Sequence, residues 1–415
     1  MGAGQQCNEL LPHLFRQEYA KMTAVLSRHF GLRHIEVAED IASDTFLKAS
    51  EHWAINGIPE NPIAWLYAVA KNKTRDYFKN VRVFETKVKN VMTTNEVQAA
   101  PDFHFNEAVI SDSQLAMIFA VCNPSNSTES QICLALQILC GFSVEEISNA
   151  FLTKPETIKK RLLRARATLR NDHFEIKTLN ESQITSRLDI VLKTLYLLFN
   201  EGYFSKTNDL QIRKDICSEA LRLTFYLTET PLTNTPAVNA LMALMCFQSS
   251  RLEARTDEYN ETILFEQQDK NQWDQSLITR GNYYLINATN GGGISKYHLE
   301  AGIAYWHTVT SQENKWEKIL QLYNQLMLIE YSPITALNRT FAFARVYGND
   351  KAIAEAEKLK LTTSNYYHGL LGYLYSEKNI SKAIEHYKTA MSLTRSGAEK
   401  QTLAKEIQRL KKKSK

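Results

Sequence analysis

Residues 143–170 constrain the fold of this chain more than any other segment, because they read as two short helices joined by a tight turn. Ser143 is followed three residues later by Glu146, and Thr153 by Glu156, so each helix can begin with a capping box. Apolar residues then recur along one side of the second helix, at Ile158, Leu162, Ala165 and Leu169. This pattern predicts a helix-turn-helix whose second helix packs through that stripe.

The remaining circumference of the second helix is basic and consists of Lys159, Lys160, Arg161, Arg164, Arg166 and Arg170. A helix with such a surface can meet phosphates and base edges in a DNA major groove. The alternative is a solvated basic helix that binds nothing. The preceding segment favours DNA binding, because it has an apolar face at Ile132, Leu136 and Leu139 and a stop at Cys140-Gly141. Three helices can then share one small core.

Charge is distributed unevenly along the 415 residues, although the formal net charge is only +4. Residues 71–89 and 154–170 are rich in Lys and Arg, whereas residues 96–146 contain acids and neither Lys nor Arg. Two basic segments separated by an acidic connector indicate two contacts along one nucleic acid.

The first basic segment lies on a helix that is predicted to begin at Asn61-Pro62 and to end near Asn80. Its basic stripe is formed by Lys71, Arg75, Lys79 and Arg82. Interleaved aromatic residues suit single-stranded DNA, whose backbone needs cations and whose unstacked bases need flat partners. A core role is the alternative, and it is favoured for Tyr67, Tyr77 and Phe78. Trp65 lies nearer the polar side and is the better candidate for contact with a base.

Another amphipathic helix is predicted over residues 36–53, with an acidic stripe at Glu36, Asp40 and Asp44. Its apolar face carries Ala38, Ala42, Phe46, Ala49 and Trp53. Because acidic groups repel DNA, the acidic stripe either meets solvent or docks a basic protein surface. Spacing alone favours solvent.

These three segments, in this order, resemble bacterial RNA polymerase sigma factors of the extracytoplasmic-function (ECF) type, over roughly residues 10–172. The stretch from Asp40 to Phe46 resembles region 2.2 of that family, which implies that Asp40, Asp44 and Phe46 bind the β′ clamp helices of core RNA polymerase. The resemblance thus replaces the solvent interpretation of the acidic stripe. The family usually has Gln-Glu where this chain has Ser43-Asp44, so the charge is kept and an amide is lost.

The resemblance also assigns the DNA contacts. Residues 62–76 resemble regions 2.3 and 2.4, which melt the promoter and read the −10 element, and residues 56–61 correspond to the loop that captures a flipped base. The implied −10 contacts are Asn56, Asn61, Trp65, Lys71, Asn72, Arg75 and Lys79. Residues 130–170 resemble region 4, which reads the −35 element and meets the β flap of polymerase. The implied −35 contacts are Thr157, Lys159, Lys160, Arg161, Arg164 and Arg166.

The chain continues beyond residue 172 for more than two hundred residues, and this part resembles the extension of a sigma-factor subgroup with a C-terminal tetratricopeptide-like (TPR-like) domain. Apolar residues recur with the same offsets at Ile319/Tyr323/Leu326, Ala352/Ala356/Leu359 and Ala383/Tyr387/Ala390. That period approximates the TPR repeat. The predicted organisation is therefore all-α: region 2 at residues 10–82, an acidic linker at 83–109, region 4 at 110–172, and a helical domain at 180–415 with TPR-like repeats at about 316–410.

No catalytic constellation, cofactor motif or metal site is predicted. His298, Glu300 and His307 lack the spacing that places two metal ligands on one helix face, and Gly291–Gly293 lacks the Lys and Ser or Thr of a phosphate-binding loop. The six cysteines are scattered and are expected to be reduced and mostly buried. The absence of a secretory signal and of a long apolar run predicts a cytoplasmic protein without a membrane segment.

Two hypotheses follow. The first is a sigma factor, not itself an enzyme, whose C-terminal helical domain contacts the sigma portion and masks or supports its surfaces. Its partners are core RNA polymerase and promoter DNA. The second is a DNA-binding or adaptor protein with helical repeats that does not engage polymerase, for which Ser43 is the main sequence support.

Overall fold

The structure is a computed structural model that describes residues 3–89, 105–151, 153–171, 174, 176, 180–203, 213–255, 263, 267–309, 313–394 and 396–413. Within these ranges the chain is all-α, with helices and no strand, as the sequence predicts. It divides into two compact units, residues 1–194 and residues 195–415. The boundary between the two units falls inside the helix Glu181–Tyr203.

The helices of the first unit are α1 (Ala3–Phe30), α2 (Ile35–Asn56), α3 (Pro62–Lys89), α4 (Glu107–Val121), α5 (Thr128–Leu134), α6 (Val144–Ala150), α7 (Pro155–Asn171) and the beginning of α8 (Glu181–Tyr203). A short 3-10 turn, Leu32–His34, precedes α2, and a π-helical turn, Ala135–Leu139, continues α5.

Among the described residues, the second unit contains the rest of α8 and ten further α-helices, which are α9 (Lys214–Glu229), α10 (Pro236–Ser249), α11 (Gln275–Asn287), α12 (Lys296–Thr308), α13 (Lys315–Ile329), α14 (Pro333–Tyr347), α15 (Asn349–Lys358), α16 (Asn365–Tyr375), α17 (Ile380–Leu393) and α18 (Gly397–Lys413).

The core of α1, α2 and α3 forms around the predicted apolar face of α2. All five predicted residues of that face are buried, and Trp53 is the largest side chain among them. They pack against Met22 and Leu26 of α1 and against Leu66 and Ala70 of α3. Three alanines on the face let the helix backbones approach closely, and the acidic side of α2 faces away from this core.

The start of α3 follows the predicted cap. The Asn61 Oδ1 accepts a hydrogen bond from the Ala64 amide at 3.0 Å, and Pro62 occupies the first helical position. The helix continues to Lys89, however, well beyond the predicted end near Asn80, because no Gly or Pro interrupts residues 63–89. The predicted acidic linker therefore begins inside α3, and its residues 90–104 lie outside the described residues.

Two helices, α6 and α7, form over the segment predicted as a helix-turn-helix, with one difference from the predicted signals. Gly141, at φ 69°, follows the π-helical turn, and Ser143 and Glu146 close the predicted capping box through bonds of 3.1 and 2.8 Å. The predicted second cap at Thr153 is wrong, because Pro155 holds the first position of α7 and Lys154 precedes it. The apolar stripe of α7 is buried as predicted, at Ile158, Leu162, Ala165 and Leu169.

In the second unit, the repeating apolar offsets fall on α13, α15 and α17. Ala352 and Ala356 of α15 and Ala383, Tyr387 and Ala390 of α17 share one core. Each of these helices packs against the helix before it in the chain, so α12–α13, α14–α15 and α16–α17 are successive helical pairs. In the part of the chain that the structure covers, we find no helix with the length and apolar character needed to traverse a bilayer.

Candidate nucleic-acid and polymerase interfaces

Most of the candidate −10 residues lie in the middle of α3, on its solvent-facing side. Asn72, Arg75 and Lys79 are exposed, and Lys71 is half-buried. Asn56 and Asn61 lie at the two ends of the α2–α3 loop and are also exposed; Asn56 Nδ2 donates to the His52 carbonyl at 3.1 Å. The predicted −10 residues thus lie along one helix and the loop that precedes it.

The aromatic residues of α3 divide between core and surface. Tyr67 stacks on Phe105 with ring centroids 4.5 Å apart and donates its hydroxyl to Glu18 at 2.5 Å. Tyr77 and Phe78 both contact the ring of Phe30. These contacts agree with the predicted core role.

Trp65 is half-buried rather than fully on the polar side. Its ring lies edge-on to that of Trp53, with centroids 5.4 Å apart, and 5.3 Å from the ring of His52. The core therefore fixes the orientation of this indole while leaving part of it accessible.

The candidate −35 residues on α7 differ in their surroundings. Four of them are exposed: Thr157, Lys159, Lys160 and Arg164. Lys159 pairs with Glu156 at 3.1 Å, an exposed pair that contributes little to stability. Arg161 is half-buried, and its Nη1 lies 3.8 Å from the Cys133 Sγ.

Arg166 is held within the first unit. Its Nη1 and Nη2 donate to the two carboxylate oxygens of Glu39 at 2.6 Å each, and its Nε and Nη2 donate to the Gln137 Oε1 at 3.2 and 2.8 Å. Only 13% of the Arg166 side chain and 16% of that of Glu39 are exposed. Burial by itself lowers the pKa of the guanidinium, but the hydrogen bonds and charge of Glu39 outweigh this and raise it. Arg166 is therefore a fixed cation in a bidentate pair.

The acidic side of α2 is only partly open to solvent. Glu36 pairs with Arg170, which lies one turn beyond Arg166 on α7. Asp40 is exposed, and Asp44, also exposed, pairs with Lys73 at 3.1 Å.

The third predicted polymerase-binding residue, Phe46, is 5% exposed and packs against Phe15 with ring centroids 5.0 Å apart. Two of the three predicted residues, Asp40 and Asp44, thus lie on the surface, and Phe46 lies within the unit.

One bacterial protein of similar length is related to this chain over most of its sequence. The chain is 30% identical over 368 residues to the uncharacterized protein R00370 of Rhizobium meliloti, an alignment that covers 87% of this chain and 85% of R00370. The two proteins therefore belong to one family. No solved structure matches the chain.

Part of the first unit matches a family whose function is known. Residues 14–83 match the family model described as Sigma-70 region 2. The ECF RNA polymerase sigma factor BldN of Streptomyces coelicolor is 32% identical over 136 residues, which is 32% of this chain and 49% of BldN. The probable RNA polymerase sigma factor RfaY of Xanthomonas campestris is 24% identical over 142 residues, 34% of this chain and 35% of RfaY. The chain is a member of the sigma-70 family.

Within this sigma-70 protein, region 2 comprises most of α1, all of α2 and most of α3. It contains all the candidate −10 and polymerase-binding residues. Residues 187–289, from α8 to beyond the end of α11, match a family of unknown function (DUF6596). The chain spans about half of BldN and about a third of RfaY, and each alignment covers only about a third of this chain.

Sequence reasoning missed Glu39 and Gln137, the two partners of Arg166. Glu39 lies one turn after Glu36, at i+3, whereas the predicted acidic stripe follows i+4 spacing and does not include it. Gln137 lies in the π-helical turn, where the wider turn changes the direction of side chains from that of a regular helix. The i+3 spacing from Glu36 is the signal that indicates Glu39, but no sequence signal marks the π-helical turn.

Two further predictions concern the cysteine thiols and metal binding. Five of the six cysteines are buried free thiols, as predicted, and the side chain of Cys7 lies outside the described residues. Burial raises the pKa of Cys122, Cys217 and Cys246 to about 12. Among the described residues, no group of three or more His, Cys, Asp and Glu is placed to hold a metal ion.

Proposed function

We propose that the protein is a sigma factor of the ECF type that directs core RNA polymerase to promoters. The observation that carries this proposal is the match of residues 14–83 to sigma-70 region 2, on a helical core that turns an acidic surface of α2 and a polar, basic surface of α3 outward. In this role the chain binds and positions, and RNA synthesis belongs to the polymerase. The protein itself is not an enzyme.

The DNA contacts follow from the two basic helices. On α3, exposed cations meet the phosphates of the −10 region, and the fixed, half-exposed Trp65 offers a stacking surface to an unpaired base. On α7, Thr157, Lys160 and Arg164 face outward from the helix-turn-helix and are the leading contacts to the −35 element.

Docking on polymerase is assigned to the exposed acids Asp40 and Asp44 on α2. A carboxylate surface complements a basic surface on the β′ clamp helices and guides association. Phe46 contributes by supporting α2 from the core. The β flap is the proposed second polymerase contact, through residues 110–172.

The helices after residue 194 form the proposed regulatory part. We infer that they are a TPR-like domain, because the repeating apolar offsets fall on α13, α15 and α17, and Ala352, Ala356, Ala383, Tyr387 and Ala390 of the last two share one buried core. This domain modulates the sigma portion by direct contact, so a chain ending at residue 172 should differ from the full chain in promoter activity.

Transcription by reconstituted polymerase tests the proposal. Core polymerase is supplied with the full chain, with Asp44→Asn, or with Glu51→Gln. Glu51 is the control because it is an exposed acid of the same helix and forms no ion pair with any other residue that the structure describes. The expected result is specific initiation from genomic promoter fragments with the wild type and Glu51→Gln, and reduced initiation with Asp44→Asn. Duplex DNA binding without any effect of the chain on polymerase would instead indicate the adaptor function that Ser43 suggests.

A further inference from the structure

Helix α8 contributes its first turns to the same compact unit as α6 and α7. The sequence predicts a separate helical domain from residue 180, whereas the first unit extends to Thr194 and so includes α8 from Glu181 to that residue. Ile184, Val191 and Thr194 are at most 3% exposed. This part of α8 is therefore buried and is not a solvated connector.

A chain of hydrogen bonds leads from α8 to the middle of α7. The Thr194 hydroxyl donates to Gln131 Oε1 on α5 at 2.9 Å. Gln131 Nε2 in turn donates to the carbonyls of Asn123 and Asn126, both at 2.9 Å, in the connection between α4 and α5. Asn126 Nδ2 then donates to the Ala165 carbonyl of α7 at 3.3 Å. The side chains of Thr194, Gln131 and Asn126 thus join α8, α5 and α7.

Burial makes this network specific. Thr194 is 1% exposed, Gln131 5% and Asn126 9%, so water has little access to replace a lost partner. The Gln131 amide satisfies both of its ends in one orientation, with its oxygen toward the Thr194 hydroxyl and its nitrogen toward the two backbone carbonyls. Removing one member leaves a buried polar group unsatisfied, which costs more than the bond itself contributes. The network therefore fixes one register of α7 against α5 and α8.

A second contact holds α8 two turns earlier. Arg187 Nη1 donates to the Phe119 carbonyl in the last turn of α4 at 3.2 Å, and the guanidinium lies 4.3 Å from the centre of the Phe174 ring. The last carbonyls of a helix lack partners within that helix, and a cation is favourable beside them. Arg187 and Thr194, at i and i+7, lie on the same side of α8. This side of α8 is thus held by α4 and by α5.

The anchored backbone of α7 carries the candidate −35 contacts. Ala165 is 1% exposed and directly follows Arg164, which is exposed like Lys160. A bidentate contact with a base edge requires the side chain to be held within about 0.5 Å of its productive position. A small rotation or shift of α7 moves both exposed residues relative to the bases. The polar anchor on the buried side therefore bears on which bases the exposed side reads.

We propose that α8 up to Thr194 is part of the −35-reading domain, and that Thr194, Gln131 and Asn126 are positioning residues that hold α7 for base contact. This inference rests on the proposed function and deepens it, because it adds residues that determine promoter specificity without touching DNA. It also gives a second cause for the expected effect of truncation. A chain ending at residue 172 loses α8 and with it the anchor of α7, whatever the remaining helices regulate.

The test compares two buried threonines in the full chain. Thr194→Val removes the hydroxyl that begins the network, whereas Thr194→Ser keeps it. Thr340→Val is the matched control, because Thr340 is also 1% exposed and donates to the Ala336 carbonyl four residues earlier, as Thr194 does to Ile190. The control thus removes the same bond within a helix but no bond of the network. Circular dichroism confirms that every variant is folded.

Two readouts separate positioning from folding. The first is hydrogen–deuterium exchange of the α7 amides in the free protein. The second is initiation by reconstituted polymerase on one active genomic promoter fragment and on copies with single base-pair changes near −35. A merely structural role lowers initiation on every fragment by the same factor, because it removes active protein. Loss of positioning instead lowers the ratio of initiation between the original and the altered fragments.

We expect Thr194→Val to raise α7 exchange roughly tenfold and to lower the initiation ratio by about threefold or more. Thr194→Ser and Thr340→Val should stay within about twofold of wild type. An unchanged ratio in Thr194→Val, or α7 exchange equal to that of Thr340→Val, overturns the inference and leaves the proposed function intact. If the folded wild type supports no initiation, the proposed function fails. Faster α7 exchange in Thr194→Val alone then still supports the anchor, and equal exchange overturns it.

Discussion

Replacing single basic residues of α7 should separate a cation that holds the fold from a cation that is free to meet DNA. Arg166 donates four hydrogen bonds to Glu39 and Gln137, and little of the side chain is exposed. Lys160, on the same helix, is exposed. We predict that Arg166→Gln and Glu39→Gln each destabilise the packing of α7, and that Lys160→Gln does not.

The size of the expected destabilisation follows from the burial of the Arg166–Glu39 ion pair. Breaking a fully buried ion pair costs about 3–5 kcal/mol, because the remaining charge is left without its partner. The Arg166 and Glu39 side chains retain 13% and 16% exposure, so solvent screens part of that cost. We therefore expect about 2 kcal/mol for either single change. The double variant should cost less than the sum of the two, because neither charge then stays buried alone.

Hydrogen–deuterium exchange of the α7 amides is the assay, since it reports the opening of this helix separately from the rest of the chain. A loss of about 2 kcal/mol corresponds to roughly thirtyfold faster exchange. Lys160→Gln, an exposed change, should stay within about twofold of wild type. If Arg166→Gln and Glu39→Gln exchange at the rate of Lys160→Gln, the pair contributes nothing to the packing of α7 and this reasoning is wrong.

Three further changes test other parts of the structure. Ser143→Ala removes the capping box of α6 and should lower the free energy of unfolding by about 1 kcal/mol, measured by urea denaturation. A Cβ at Gly372 would lie 2.6 Å from the Tyr387 ring, so Gly372→Ala should destabilise the protein by about 1–3 kcal/mol, whereas the control Gly369→Ala, with no atom within 4 Å, should stabilise it. Burial raises the pKa of Glu300 to about 7 from 4.5, so stability should fall as pH rises between these values. Glu300→Gln should remove the contribution of this carboxyl to the pH slope, and the variant should be more stable than wild type above pH 7 by roughly 3 kcal/mol, measured by thermal unfolding. Equal slopes in the two proteins would contradict this account.

The sequence predicted those features of the fold that depend on local chemistry. The apolar face of α2, the Asn61 cap of α3 and the Ser143 capping box were all foreseen, because each depends on residues within a few turns of one another. The end of α3 was misplaced, since a polar and basic composition after Asn80 is compatible with both helix and linker. The cap of α7 was misplaced because Pro155 competes with Thr153 as the start signal.

The candidate interfaces were predictable as sets of residues but not as surfaces. Helical periodicity correctly separates the exposed Lys160 and Arg164 from the buried stripe of α7. It could not show that Arg166 meets Glu39, because the two residues are 127 positions apart and their contact depends on how α7 packs against α2. Long-range pairing of this kind is set by the tertiary arrangement, in which charge complementarity and the packing of α1 against α4 act together.

The central claim is that this sigma-70 family member binds core RNA polymerase through the acidic surface of α2. The most direct measurement is the affinity of purified core polymerase for the full chain and for Asp44→Asn, at low and at moderate salt, with Glu51→Gln as the control. We expect saturable binding of the wild type and the control that weakens as salt is raised, and weaker binding of Asp44→Asn at both salt concentrations. Failure of the folded wild-type chain to bind, or equal binding by all three proteins, would contradict it.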